Sequence, residues 1–156
     1  MKGEARMELL LWRHADAEDG MLDSERKLTA KGVKQAARVA KWLKKRLPPD
    51  SVVLASPARR AQQTARALTS DFRTVKALGV AAAPQEVLAA AGWPTAAGTV
   101  VVVGHQPTLG EVAALLLTGK SHGLNIKKGA VWWFSHRDRE NDGRVQLRAV
   151  ISADLS

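Results

Sequence analysis

Met7-Glu8-Leu9-Leu10-Leu11-Trp12 runs directly into Arg13-His14-Ala15, and Thr99-Val100-Val101-Val102-Val103-Gly104 runs in the same way into His105. Runs that are apolar at nearly every position mark strands covered on both faces, as parallel strands are when helices pack on each side. Each run ends by delivering a histidine. In an open α/β sheet ligands bind at the carboxyl edge of the strands, so the two histidines are expected at one site. Arg13 sets a permanent cation beside the His14 imidazole, a pairing suited to phosphoryl chemistry.

Outward from these two runs, strand-like and helix-like stretches alternate, the α/β signature. The first strand is expected over Met7–Arg13, with a polar loop through Glu25. A helix N-capped by Thr29 should run to about Leu47, where Pro48-Pro49 stop it. A strand at Ser51–Ala55 leads to a helix from Pro57 to about Thr69. A weak strand near Arg73–Ala77 and a short helix at Gln85–Ala91 follow. After the strand Thr99–Val103 come a helix over Thr108–Leu117 and two strands, Ala130–Ser135 and Val145–Ile151, flanking an Asn141-Asp142-Gly143 turn. The expected fold is a single-domain three-layer α/β/α sandwich over residues 1–156, mostly parallel with an antiparallel edge strand.

With 156 residues the chain suffices for one ordinary core. It contains no cysteine, which excludes disulfides, thiolate-ligated metals and a cysteine nucleophile. Charges at Lys2, Glu4, Arg6 and Glu8 interrupt any signal-peptide core, and no apolar stretch reaches membrane-spanning length. A cytoplasmic location is expected. The net charge of +9 is local: nine of the 24 basic residues lie between Arg26 and Arg46 without an acid, which leaves the remainder balanced at 15 of each sign.

The helix in that segment has two faces. Val33, Ala36, Ala37, Ala40, Leu43 and Leu47 recur at helical spacing and are expected to face the sheet. Lys27, Lys31, Lys34, Arg38, Lys41 and Lys45 form a cationic stripe. Like charges at i,i+4 cost about 0.2–0.5 kcal/mol per pair, a repulsion that an acidic partner would relieve.

Three segments, each after an expected strand, carry the chemistry: Arg13-His14-Ala15-Asp16-Ala17, Ser56-Pro57-Ala58-Arg59-Arg60-Ala61-Gln62-Gln63-Thr64-Ala65, and Val103-Gly104-His105-Gln106-Pro107. In this order they resemble the histidine phosphatase (phosphoglycerate-mutase-like) superfamily. Arg26-Lys27-Leu28-Thr29-Ala30-Lys31-Gly32 resembles an Arg-x-Leu-Thr-x-x-Gly element of its short SixA-type phosphohistidine phosphatase branch, and the length leaves no room for a cap insertion.

The resemblance implies that His14 attacks phosphorus and that water then discharges a phosphohistidine enzyme. Arg13 and Arg60 correspond to the family's phosphate-binding arginines, and His105 to its second histidine, which bonds the phosphoryl oxygens and is expected to be cationic. Adjacent helical side chains diverge by about 100°, so Arg59 is expected at the surface. Arg26 is expected at the pocket mouth. Backbone N–H groups near Gln106 to Thr108 are expected to help bind the anion. His122 and His136 match no motif. No cofactor and no metal are implied.

A proton donor for the leaving group is harder to find. Only Asp71 and Glu86 lie between Arg60 and His105, so Glu86 and the nearby Asp16 are the candidate general acids. A phosphorylated imidazole needs less protonic help to leave than an alkoxide, which favours P–N over P–O substrates. The expected substrate is therefore phosphohistidine on a protein such as a histidine phosphotransfer domain, steered by the cationic stripe. A small phosphomonoester is the alternative. A nucleic-acid-binding module using the basic helix with Trp42 or Trp132-Trp133 is the remaining class.

Overall fold

The computed structural model describes residues 5–139 and 142–156. Its sheet has six strands: β1 (Ala5–Arg13), β2 (Val52–Ala55), β3 (Arg73–Thr74), β4 (Gly98–Gly104), β5 (Val131–Arg139) and β6 (Asp142–Ile151). They lie in the order β3-β2-β4-β1-β5-β6. The first four are mutually parallel, and β5 runs antiparallel to both β1 and β6. The expected antiparallel pair at the edge is β5 with β6, β5 being the strand that runs against the rest. Of the expected turn, residue 141 lies outside the described residues, whereas Asp142 and Gly143 already pair with Arg139 and Asp138.

Helices α1 (Ala30–Lys44), α2 (Arg59–Leu68), α3 (Pro84–Ala91) and α4 (Thr108–Thr118) complete the layers. Alternation along β1 explains its uninterrupted hydrophobicity. Met7, Leu9 and Leu11 pack with Val87 and Ala91 of α3 and with Leu109, Val112 and Ala113 of α4. Leu10 and Trp12 point the other way, onto Val39, Ala40 and Leu43 of α1 and Ala61 and Ala65 of α2.

Three local expectations are corrected. The buried face of α1 is Gly32, Ala36, Val39, Ala40 and Leu43, while Val33 and Ala37 are exposed. Gly32 sets this rotation: a Cβ there would lie 1.9 Å from the Asp16 carbonyl oxygen, so only glycine admits the close approach of helix and loop. Helix α2 begins at Arg59, not Pro57, because the buried Ser56 hydroxyl accepts the Ala58 N–H and turns the chain first. Strand β3 is two residues long, since Lys76–Leu78 form a 3-10 turn.

Candidate active site

The carboxyl ends of β1, β2 and β4 converge, and the backbone fixes their order. The His14 N–H donates to the Gly104 carbonyl and the Ser56 N–H to the Val103 carbonyl, each at 3.0 Å. The Ala15 N–H donates to Thr64 Oγ1 at 3.1 Å, and that hydroxyl donates to the Arg60 carbonyl at 2.8 Å. The loop carrying His14 is thereby fastened to the helix carrying Arg60. Ala15, fully buried with Leu28 and Ala36, supplies the packing beneath the loop.

Four side chains from the three motifs meet here. The His14 and His105 ring centroids are 5.2 Å apart, and Arg60 Nε–H points at His14 Nε2 from 3.3 Å. His14 Nδ1 lies 2.8 Å from the Ala15 carbonyl, which can only accept, so Nδ1 carries the proton and Nε2 the lone pair. Burial, reinforced by the charges of Arg60 and Arg13, pushes the His14 imidazole down to about 3. Burial and the Arg60 charge push His105 down to about 4. Both rings are therefore neutral at physiological pH, which corrects the expectation of a cationic His105. Desolvation and the like charges of the neighbouring arginines both disfavour the protonated ring. His105 Nε2 shares a 2.8 Å hydrogen bond with Ser56 Oγ.

Two observations point to an anion. Arg13 donates through Nη1 to the Ile126 carbonyl at 2.9 Å, yet its buried Nε has no hydrogen-bond partner. Leaving such a donor unsatisfied costs about 1–3 kcal/mol. Arg60, 3% exposed, spends its fork on Asp23: Nη1 donates to the backbone carbonyl at 2.7 Å and Nη2 to Oδ2 at 3.1 Å. Asp23 thus offers Arg60 a carboxylate where a phosphate would bind.

Sequence reasoning missed Asp23. It stands among Glu18, Asp19 and Glu25 in a polar loop, and no spacing distinguishes it. Arg26 reaches the site through it, donating from Nη1 to Asp23 Oδ1 at 3.1 Å while its Nε holds the Glu18 carbonyl. The Arg60 and Arg26 hydrogen bonds keep the Asp23 carboxyl below the usual range.

The candidate acids are engaged elsewhere. Asp16 Oδ2 accepts from the Thr29 hydroxyl at 2.7 Å and Oδ1 from Lys128 at 3.1 Å, contacts that hold it below its ordinary value. It anchors the start of α1. Glu86 is exposed, and its Oε1 accepts the Ala83 N–H at 2.8 Å, which caps α3. Neither carboxyl is brought to the histidine pair. At the start of α4, Leu109 N–H donates to the His105 carbonyl and Gly110 N–H to Gln106 Oε1, and Pro107 has no N–H to give, so of the expected anion donors Gln106 and Thr108 remain candidates. Arg59 and His122 are exposed, and His136 packs edge-on to Trp93 at 5.4 Å. Among the described residues, no group of three or more His, Asp or Glu is placed to hold a metal, and no helix is long and apolar enough to cross a membrane.

The buried neutral histidines carry a stability prediction. Both fold with values below the ordinary 6.5, so the unfolded chain binds more protons between about pH 6.5 and the folded values. Their neutral burial is unopposed above pH 6.5 and becomes a growing penalty as pH falls toward 4. Each proton contributes a slope of up to about 1.4 kcal/mol per pH unit. Thermal melts from pH 7 to pH 4.5 should show a steadily falling Tm, less steep in His105→Gln. An equal slope in that variant would exclude His105 from the effect.

Comparison with known proteins gives a consistent result. The family model for the histidine phosphatase superfamily (branch 1) matches residues 9–79. An uncharacterized protein of Picosynechococcus sp. is 35% identical over 136 residues, covering 80% of this chain and 82% of that one. The SixA structure from Nakamurella multipartitia superposes with a TM-score of 0.75 at 30% identity, over 94% of this chain and 95% of that one. The protein histidine phosphatase SixA complexed with tungstate shares the fold, with a TM-score of 0.75 at 24% identity over 95% and 98% of the two chains.

Proposed function

Because this chain belongs to the histidine phosphatase superfamily and is of the SixA type, we propose that it hydrolyses phosphohistidine on a protein or peptide through a phosphohistidine enzyme. One observation carries the reading. His14 presents an unprotonated Nε2 to the Arg60 guanidinium, while Asp16 is ionised on Thr29 and Lys128 and Asp23 is ionised on Arg60 itself.

In the first step His14 Nε2 forms a bond to phosphorus as the bond from phosphorus to the substrate imidazole breaks. That imidazole leaves with the electron pair and takes a proton from water. In the second step water attacks phosphorus, the Nε2–P bond breaks and returns its electron pair to Nε2, the water's proton neutralises the hydroxide left by the first step, and inorganic phosphate departs. Arg13 and Arg60 bind the equatorial oxygens, where bidentate guanidinium geometry fits best, and His105 bonds the same oxygens. A tetrahedral oxyanion completes the buried Arg13 Nε and displaces the Asp23 carboxylate from Arg60. A related SixA holds tungstate, an anion of that shape.

A phosphohistidine peptide should be turned over faster, in kcat/KM, than a sugar phosphate by about 10²-fold or more, the scale of a missing general acid. Faster turnover of the sugar phosphate would favour the small-phosphomonoester reading and move attention to Asp23 as a proton donor.

The cationic stripe gives the protein substrate its approach. Lys31, Lys34 and Arg38 are exposed on the first half of α1, which starts beside the His14 loop. Replacing all three by glutamine should slow turnover of an acidic phosphorylated protein about ten-fold at low salt, through association. Turnover of an aryl phosphate should barely change. Equal losses on both substrates would remove the docking role.

A further inference from the structure

A second cleft lies at the amino edge of the sheet, about 16 Å along β1 from the histidines at the usual rise per residue. Its volume is about 650 Å³, within the usual range of about 300–1,000 Å³ for small-molecule sites. Two indoles and three guanidinium groups define it. Trp42 and Trp133 meet edge to face at 6.0 Å, Arg46 lies 4.2 Å over the Trp42 ring, and Arg148 lies 5.0 Å over the Trp133 ring.

Glu8 forms one wall. This strand carboxylate is 7% exposed and accepts from Arg148 Nη1 at 2.6 Å, Arg6 Nε at 2.7 Å and the Trp133 indole N–H at 2.7 Å. Burial alone would raise its pKa, but these hydrogen bonds outweigh it and keep the group ionised. A buried charge fixed in this way organises the two arginines on either side of it, while Arg46 donates from Nη1 to the Trp42 carbonyl at 2.9 Å.

A second, smaller cleft of about 370 Å³ shares Trp42 and Arg46 with the first and adds Arg38, Lys41 and Lys45. No acidic side chain lines it. The two adjacent clefts thus differ in chemistry: one is aromatic, with flat cations and a carboxylate, and the other sets four cationic side chains beside Trp42 and Ser156. A ligand spanning both needs a planar aromatic part and an anionic tail. Its orientation follows from charge density: three cationic side chains offset by Glu8 line the first cleft and four without an acidic side chain line the second, which therefore receives the phosphate. The planar part stacks on the guanidinium–indole layers, which favour π systems.

We propose that these clefts form a nucleotide site, with the base in the Trp42–Trp133 compartment and the phosphates on Lys41, Lys45 and Arg46. It is separate from the histidine site and does not depend on the reaction assigned there. It also divides the cationic stripe: the first half of α1 serves the active-site edge and the second half serves this one.

Calorimetric titration of ADP in EDTA and moderate salt tests it. Wild type and Arg60→Ala should bind ADP with the same affinity. Arg46→Glu, a change at an exposed residue, should weaken binding about ten-fold or more, the effect of reversing one charge at a phosphate. Trp42→Ala should do likewise, with Arg46→Glu the decisive variant because Trp42 also packs on the core. Tripolyphosphate should bind more weakly than ADP. Four results would overturn the proposal: no binding by wild type; binding lost in Arg60→Ala but kept in Arg46→Glu, which puts the phosphates in the histidine site; tripolyphosphate binding as tightly as ADP, which removes the base compartment; and an oligoadenylate binding more than about ten-fold tighter than ADP, the strand rather than the nucleotide being the ligand.

Discussion

His14→Ala is expected to lower kcat for an aryl phosphate and for a phosphohistidine peptide by roughly 10⁴-fold or more, the scale of losing a covalent nucleophile. The reason lies in how the ring is held. With Nδ1 tied to the Ala15 carbonyl, the lone pair on Nε2 has one direction to face, toward Arg60. A ring held neutral by burial needs no base to activate it, so no other side chain can substitute for the missing nitrogen. The deciding measurement is chemical. Rapid quenching of wild type turning over substrate should trap phosphate that is labile in acid and stable in base, and His14→Ala should trap none. Phosphate retained by His14→Ala and lost from His105→Ala would exchange the two roles.

The parts of this arrangement that could be read from sequence are those in which a local pattern determines the outcome. β1 and β4 were legible because both faces of each are buried, so the apolar runs survive without alternation. The meeting of His14 and His105 followed from parallel strands ending at one edge, whereas Arg60 was legible only through the resemblance of residues 56–65 to the family motif. The burial phase of α1 was not legible, because Gly32 is pressed on the Asp16 carbonyl and that contact, not the hydrophobic period, sets the helix rotation. Asp23 was hidden for a similar reason: Arg60, 37 residues away, selects it from four acids in a loop with no periodicity. Glu8 looked like an interruption in an apolar run. Its meaning depends on Arg148, 140 residues distant, which only the pairing of β1, β5 and β6 brings within reach.

Arg60→Ala is expected to cost about 10³-fold in kcat/KM, ~4 kcal/mol of transition-state stabilisation, which is what one well-placed cation contributes to phosphoryl transfer. The loss should fall on kcat as well as KM, since charge on the equatorial oxygens is distributed most fully in the transition state. Arg60→Lys should recover no more than about ten-fold of that loss, because an ammonium cannot reproduce the planar fork that now spans the carbonyl and carboxylate of Asp23 and adjoins His14. Structural damage is separable from chemical damage. Asp23 is exposed, so its release from Arg60 leaves a solvated carboxylate rather than a buried orphan, and the unfolding midpoint of Arg60→Lys should stay near wild type. If the lysine variant keeps both its stability and nearly full activity, the guanidinium geometry is not what grips the phosphate. The positive charge at that position, rather than the planar fork, would then be what holds the anion.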